Sequence, residues 1–377
     1  MKTRFFFVLL TVIFFSCSNK QINNPDTSKT DQIENIINRV GDSLTTKVKK
    51  AGYEDIDFSS PGVVIALWSD ELNFDYIKSF GISDIATNEP MKNNILFRIG
   101  SITKTFVITV FLQLVDEKKV SLDDKLQKFF PDFQRSDEVT LRQICNMTSG
   151  IFNFWETEAF VEWITNHPEK PITPLEVISW AKDVPFYFNP GDGIHYSNTN
   201  TYLLSLIIEQ ITGNKIEDEV KTRLIDKLHL NNTFFPTVIS FPAGIPYSKG
   251  YIVDADNKIK KDYTDFLTPC LSWSAGAMIS NIEDIKIWIE ACAGGSLISD
   301  STHQERKKTI AWDEAKMSYG LGIMEYKGFW GHGGNIMGYS TVILRSPERK
   351  TTIAVMINSS LDQLHPVQEI VDCYLSL

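Results

Sequence analysis

Strand-like apolar runs lie near both ends of this chain with a long helical stretch between them, so any sheet has to be assembled from segments far apart in sequence. Gly62-Val-Val-Ile-Ala-Leu-Trp68 and Phe74 to Phe80 read as two strands around the polar turn Ser69-Asp70-Glu71, a hairpin. Tyr339 to Leu344 and Thr351 to Ile357 read as two more, separated by the charged turn Ser346-Pro-Glu-Arg-Lys350, with a short helix from about Asp362. Before the first strand, Gln32 to Ala51 places Ile33, Ile36, Val40, Leu44 and Val48 at helical spacing.

Between these ends the pattern is helical. From Ser101, residues Ile102, Phe106, Val107, Val110, Phe111 and Leu114 form an apolar face that ends in the charged run Asp116 to Lys119. Thr201 to Thr212 is an apolar helix stopped by Gly213, and Ser280-Asn-Ile-Glu283 has capping-box spacing before the periodic Ile285, Trp288 and Ile289. The expected fold class is therefore α/β (α+β), an antiparallel sheet from N- and C-terminal segments flanked by helices, with a mainly helical region inserted. The sheet region covers about 32–95 and 310–377, and the helical region about 96–309. No internal repeat is present.

With 377 residues, 43% of them hydrophobic, the chain can bury a large core. Its net charge of −10 argues against a nucleic-acid partner, which requires clustered Lys and Arg. The opening Met1-Lys2-Thr3-Arg4 is basic and runs into the apolar Phe5 to Phe15, then Ser16 and Cys17. That order is an export signal. The apolar stretch is short of the roughly 20 residues a membrane span needs, and a polar segment follows at once. Residues 1–16 are thus expected to be a signal peptide, 17–31 a polar tether, and 32–377 the folded domain. Cys17 sits where the small-residue cleavage site belongs, and an incidental Cys in a plain secretory peptide is the alternative to acylation. The remaining cysteines, Cys145, Cys270, Cys292 and Cys373, are scattered without a CxxC pair or zinc-type spacing, so no metal site and no obligatory disulfide are expected.

Three short motifs carry chemistry. Ser101-Ile-Thr-Lys104 follows Phe97-Arg-Ile-Gly100 and opens a helix. Residues three apart on a helix share a face about 5–6 Å apart, so a Lys amine can reach a Ser hydroxyl. Lys becomes a base for that hydroxyl when burial depresses its pKa, and free N–H groups at a helix start can stabilise a developing oxyanion. Taken alone, the pair reads better as an N-cap and a solvated Lys, since capping Ser residues are common. Next come Phe188-Asn-Pro-Gly191 and Tyr196-Ser-Asn198, on a loop that enters a helix at about Asn200. A phenol there can relay protons, and an Asn can hold Lys104 or a substrate amide. Packing and capping are their structural alternatives. The third motif, Trp330-Gly-His332-Gly-Gly334-Asn335, lies just before the strand from Tyr339, and its glycines permit close approach of another backbone.

In this order, SxxK, YxN and HxG resemble the superfamily of class C β-lactamases and low-molecular-weight penicillin-binding proteins, which includes D,D-peptidases, D-aminopeptidases and esterases. The resemblance covers roughly residues 60–360, and further stretches share it: Ser121-Leu-Asp-Asp124 through Phe130-Pro-Asp-Phe133, Met147-Thr-Ser-Gly150, Ser274-Ala-Gly276 and Glu283-Asp284. The Phe-Phe-Ser-Cys17 end resembles a bacterial lipoprotein box, implying a lipid-anchored protein of the cell envelope, periplasmic or outer-membrane. The resemblance implies Ser101 as nucleophile, Lys104 as its base, Tyr196 as proton shuttle and Asn198 steadying Lys104 and the substrate amide. It leaves open which of Lys104 and Tyr196 takes the first proton. The oxyanion hole it implies is the backbone N–H groups of Ser101 and Asn335, with Trp330, His332, Gly333 and Gly334 at the substrate. No cofactor is implied. The implied partner is a small-molecule or peptide substrate, with peptidoglycan fragments among the candidates.

Two departures stand out. Many β-lactamases carry Lys-Thr-Gly where this chain has His332-Gly333-Gly334, so binding of a substrate carboxylate is expected to be weaker. The usual His before Thr-Ser-Gly is Met147. The leading reading is hydrolysis of a small peptide, amide or ester through an acyl-Ser101 intermediate. A carboxylesterase of the same fold is one alternative, and a non-catalytic cell-wall-binding or sensor module is another. Retention of Ser101, Lys104, Tyr196 and Asn198 together favours an enzyme.

Overall fold

The computed structural model describes residues 28–46, 60–167, 170–254, 259–266, 268–313, 316–360 and 364–377. The expected signal peptide, the tether up to residue 27 and Cys17 lie outside the described residues. The first helix, α1 (Lys29–Thr45), starts earlier and ends sooner than Gln32 to Ala51. Ser28 accepts from Asp31 N while the Asp31 carboxylate returns to Ser28 N, a reciprocal cap that fixes the start.

Sheet and helices divide along the chain as expected. Strands β1 (Gly62–Ser69), β2 (Phe74–Asp84) and β3 (Glu89–Pro90) come from the N-terminal part. The C-terminal part gives β4 (Ile310–Trp312), β5 (Met317–Tyr319), β6 (Met324–Tyr326), β7 (Phe329–Ile336), β8 (Tyr339–Ser346) and β9 (Thr351–Ile357). Among the described residues they form one nine-stranded sheet in the order β3-β2-β1-β9-β8-β7-β6-β5-β4. The two ends of the chain meet at the antiparallel pair β1–β9, in the register Val63↔Ile357, Ala66↔Ala354 and Ser69↔Thr351.

Every residue of β1 is buried, and its alternation shows why a continuous apolar run was needed. Val63, Ile65 and Leu67 face one side, where Ile33, Ile36 and Ile37 of α1 and Val367, Ile370 and Val371 of the last helix, α6 (Leu364–Leu375), pack on them. Val64, Ala66 and Trp68 face the other side and the inserted helices. Burying each such aliphatic side chain contributes about 1.5–3 kcal/mol.

On that second face lie α2 (Thr103–Asp116), α3 (Asn198–Thr212), α4 (Pro269–Gly276) and α5 (Ile282–Gly294). Gly213, with φ +75°, terminates α3 in the left-handed conformation that Gly adopts most readily. The cap of α5 differs from the expected one. Asn281, not Ser280, accepts from Asp284 N, because Ser280 is paired to Phe97 in a short two-stranded ladder. The HxG motif lies just before the strand from Tyr339, as read, but it also forms the middle of a strand of its own, β7, which the sequence did not disclose. Cys145, Cys270, Cys292 and Cys373 are free thiols.

Candidate active site

Ser101 sits in a tight turn, Gly100–Ile102, that runs directly into α2. Two glycines let this turn press against β7. A methyl on Gly334 would lie 2.0 Å from the Ile99 carbonyl oxygen and 2.9 Å from the Ser101 nitrogen. One on Gly100, where φ is +50°, would lie 2.8 Å from the Asn335 nitrogen. Close backbone approach therefore seats the Ser101 turn directly against the Gly334–Asn335 segment of β7.

One helical turn on, Lys104 is fully buried. Its Nζ lies 3.0 Å from Ser101 Oγ and 2.6 Å from the Ala275 carbonyl oxygen. Neither partner is charged, so desolvation is uncompensated and holds the amine well below its ordinary pKa of 10.5. In its neutral form, which this depression favours, an amine at hydrogen-bond distance from a Ser hydroxyl can accept its proton. The Lys104 Nζ also lies 4.8 Å from the centroid of the Tyr196 ring. Burial raises the pKa of the Tyr196 phenol, and the neighbouring Ser101 hydroxyl offsets part of the rise. Among the described residues the phenol completes no hydrogen bond of good geometry.

Asn198 begins α3 beside this group. Its backbone N–H and side-chain amide both donate to Asn153 Oδ1, at 3.1 and 3.3 Å. The Ala275 carbonyl thus anchors Lys104, and Asn153 anchors Asn198. His332 is buried between the sheet and the helices, and its two ring nitrogens meet Tyr319 Oη, at 3.0 Å, and the Gly333 carbonyl oxygen. Burial pushes its pKa down to about 3, so the imidazole is neutral at pH 7.

Ser101, Tyr196, Asn198, His332, Gly333 and Asn335 line one cavity of about 620 Å³. Trp330 does not. It lies two residues before His332 on β7 and packs instead under Lys307, whose Nζ is 4.6 Å from its ring centroid. The aromatic walls are Trp155 and Trp312, which no motif marked. Trp312, on the edge strand β4, stacks on Tyr196 at 5.9 Å and 9°. Among the described residues that line the cavity there is no Asp, Glu, Lys or Arg. Asn153, Ala275 and Tyr319 were also missed. Ala275 lay within a stretch that carried the resemblance, but its part is played by a backbone oxygen.

A Beta-lactamase family model matches residues 54–369. The chain is similar to a penicillin-binding protein of Bacillus subtilis strain 168, 25% identical over 304 residues that cover 76% of this chain and 66% of that one. It is also similar to the D-aminopeptidase of Brucella anthropi, 26% identical over 313 residues, or 79% of this chain and 56% of the other. The chain thus spans between half and two thirds of the length of these curated relatives. Of solved structures, the D-stereospecific amidohydrolase from a Streptomyces species superposes with a TM-score of 0.74 at 29% identity, covering 84% of this chain and 94% of that one. With the fold, the turn that presents Ser101 and a family match over most of its length, the chain belongs to the beta-lactamase family.

Proposed function

We propose that this protein is a serine hydrolase that cleaves a small peptide, amide or ester, uncharged at the atoms it buries, through an acyl-Ser101 intermediate. The observation that carries the reading is the 3.0 Å contact between Ser101 Oγ and the fully buried, charge-isolated amine of Lys104. In the proposed cycle Lys104 takes the Ser101 proton as Oγ bonds to the substrate carbonyl carbon. The N–H groups of Ser101 and Asn335 receive the oxyanion, an effect commonly worth about 2.7–4 kcal/mol per donor. Tyr196 passes the proton to the departing amine or alkoxide as the C–N or C–O bond breaks, and Asn198 faces the substrate amide. Water then hydrolyses the acyl ester by the same steps in reverse order.

The cavity lining favours neutral substrates. A terminal carboxylate calls for a cation and a free ammonium for a carboxylate, and the described lining residues supply neither. Neutral His332 and Gly333, which lacks a hydroxyl, extend the same argument. A carboxylesterase is favoured by this observation as much as an amidase is. The relatives named as a D-aminopeptidase and a D-stereospecific amidohydrolase make D-configured amides, N-acylated so that no free ammonium enters the cavity, the first peptide-like substrates to try, and peptidoglycan fragments a natural source of D-configured amides. From the leader sequence we also infer export and anchoring to the cell envelope through an acylated Cys17.

The test is a panel of short nitrophenyl esters, D-amino-acid amides with free and with acetylated amino groups, D-Ala-D-Ala peptides and nitrocefin, each run with wild type and Ser101→Ala. Turnover of neutral esters or amides that disappears in Ser101→Ala is expected. Efficient nitrocefin hydrolysis would overturn the substrate reading, and activity retained by Ser101→Ala would overturn the mechanism.

A further inference from the structure

Tyr319 closes the short strand β5, is fully buried, and places its hydroxyl 3.0 Å from Nε2 of His332. On the far side of the imidazole, Nδ1 bonds the Gly333 carbonyl oxygen. A carbonyl oxygen only accepts, so Nδ1 carries the ring proton and Nε2 holds a bare lone pair. The Tyr319 O–H donates to that lone pair. Both nitrogens are then engaged, and neither faces a substrate as a donor.

The surroundings give this pairing a purpose. Tyr196, Trp312, Tyr319 and His332 form a closed group of rings. Tyr196 stacks on Trp312, meets Tyr319 edge-on at 6.4 Å and lies 6.2 Å from His332, centroid to centroid. A turn of the phenol about its own axis leaves its oxygen in place, but a swing of the Tyr196 side chain about Cα–Cβ toward the neighbouring imidazole would carry the hydroxyl to Nε2. The Tyr196 hydroxyl is buried and, among the described residues, completes no hydrogen bond of good geometry, so an unoccupied imidazole nitrogen in the same group would draw it in.

We propose that Tyr319 is a positioning residue for the reaction at Ser101: by occupying Nε2 of His332 it keeps the imidazole from capturing the Tyr196 hydroxyl and leaves that hydroxyl available to the proton relay. The proposal rests on the roles given above to Ser101 and Tyr196. It goes beyond them in assigning a task to a side chain outside all three motifs and in making His332 a masked acceptor instead of a substrate ligand.

Three measurements test it. Nitrogen-15 NMR of histidine-labelled wild type is expected to show His332 with Nδ1 protonated and Nε2 accepting a hydrogen bond; an Nε2–H tautomer overturns the proposal whether or not any variant folds. Tyr319→Phe is expected to lower kcat for a neutral nitrophenyl ester about tenfold with KM changed less than about twofold, and to shift the Nε2 resonance. In a His332→Leu background, where no acceptor remains to be masked, the same substitution is expected to change kcat less than about twofold. Equal losses in both backgrounds, or a loss confined to KM, overturn the proposal while leaving the Ser101 reading intact. Wild-type turnover by Ser101→Ala would remove both.

Discussion

Gly334→Ala tests whether the close contact between β7 and the Ser101 turn is what builds the oxyanion site. The new methyl would sit 2.0 Å from the Ile99 carbonyl oxygen, where ordinary contact begins near 3.4 Å, so the backbones must part by about 1.4 Å. The nearby atom is backbone, flanked by β8 on one side and α2 on the other, and cannot swing aside as a side-chain tip would. A displacement of about 1 Å at reacting groups costs on the order of 100-fold in rate, and loss of one oxyanion donor about 100- to 1000-fold in kcat. Overpacking of this kind destabilises by about 1–3 kcal/mol, which a chain with this core survives. The assay is kcat and KM on a neutral nitrophenyl ester, with thermal melting to show that the variant is folded. Gly294→Ala, at the end of α5 with nothing within 4 Å of its added methyl, is the control and should leave kcat unchanged. Wild-type kcat in a folded Gly334→Ala would refute the reasoning.

Lys104→Met is expected to abolish turnover, and its Tm relative to wild type is expected to fall as pH rises toward 10.5. The unfolded Lys binds a proton up to its ordinary pKa while the buried one releases it at lower pH, so wild-type stability increases with pH in that window; a Tm difference that does not vary with pH would contradict the assignment. Gly333→Thr restores a hydroxyl at the cavity wall and should raise kcat/KM for nitrocefin relative to a neutral ester by about tenfold, with an unchanged ratio as the contrary result. Cys17→Ala should move the protein from the membrane fraction to the soluble fraction or block its processing, and a wild type found unlipidated and soluble would end the anchor proposal.

The parts of the fold that the sequence disclosed are those where one segment's pattern settles the outcome. The unbroken apolar run in β1 can only be a strand covered on both faces, and the ridge from Ile102 to Leu114 can only be a buried helix. Ser101, Lys104, Tyr196 and Asn198 could be singled out because they fall in short motifs whose order resembles a known family, and the structure brings Ser101, Tyr196 and Asn198 to one cavity with Lys104 beside Ser101. The Gly-rich HxG segment hid its own strand, since glycine weakens strand patterns, and only the opposing Ile99 and Ser101 backbone explains why β7 needs Gly334. Trp330 was expected at the substrate and Trp312 was not. A wall of a cavity is set by which edge strand closes over it, and no local pattern carries that information. The partners that orient the site, Ala275 O, Asn153 Oδ1 and Tyr319 Oη, reach it from separate elements and carry no spacing rule.

The central claim is that Ser101 becomes acylated because Lys104 accepts its proton, and intact-protein mass spectrometry with a fluorophosphonate probe tests it most directly. A single adduct is expected, placed on Ser101 by peptide mapping, lost in a folded Ser101→Ala and slowed at least about 100-fold in Lys104→Met. An adduct on another residue, or labelling of Lys104→Met at the wild-type rate, would contradict it.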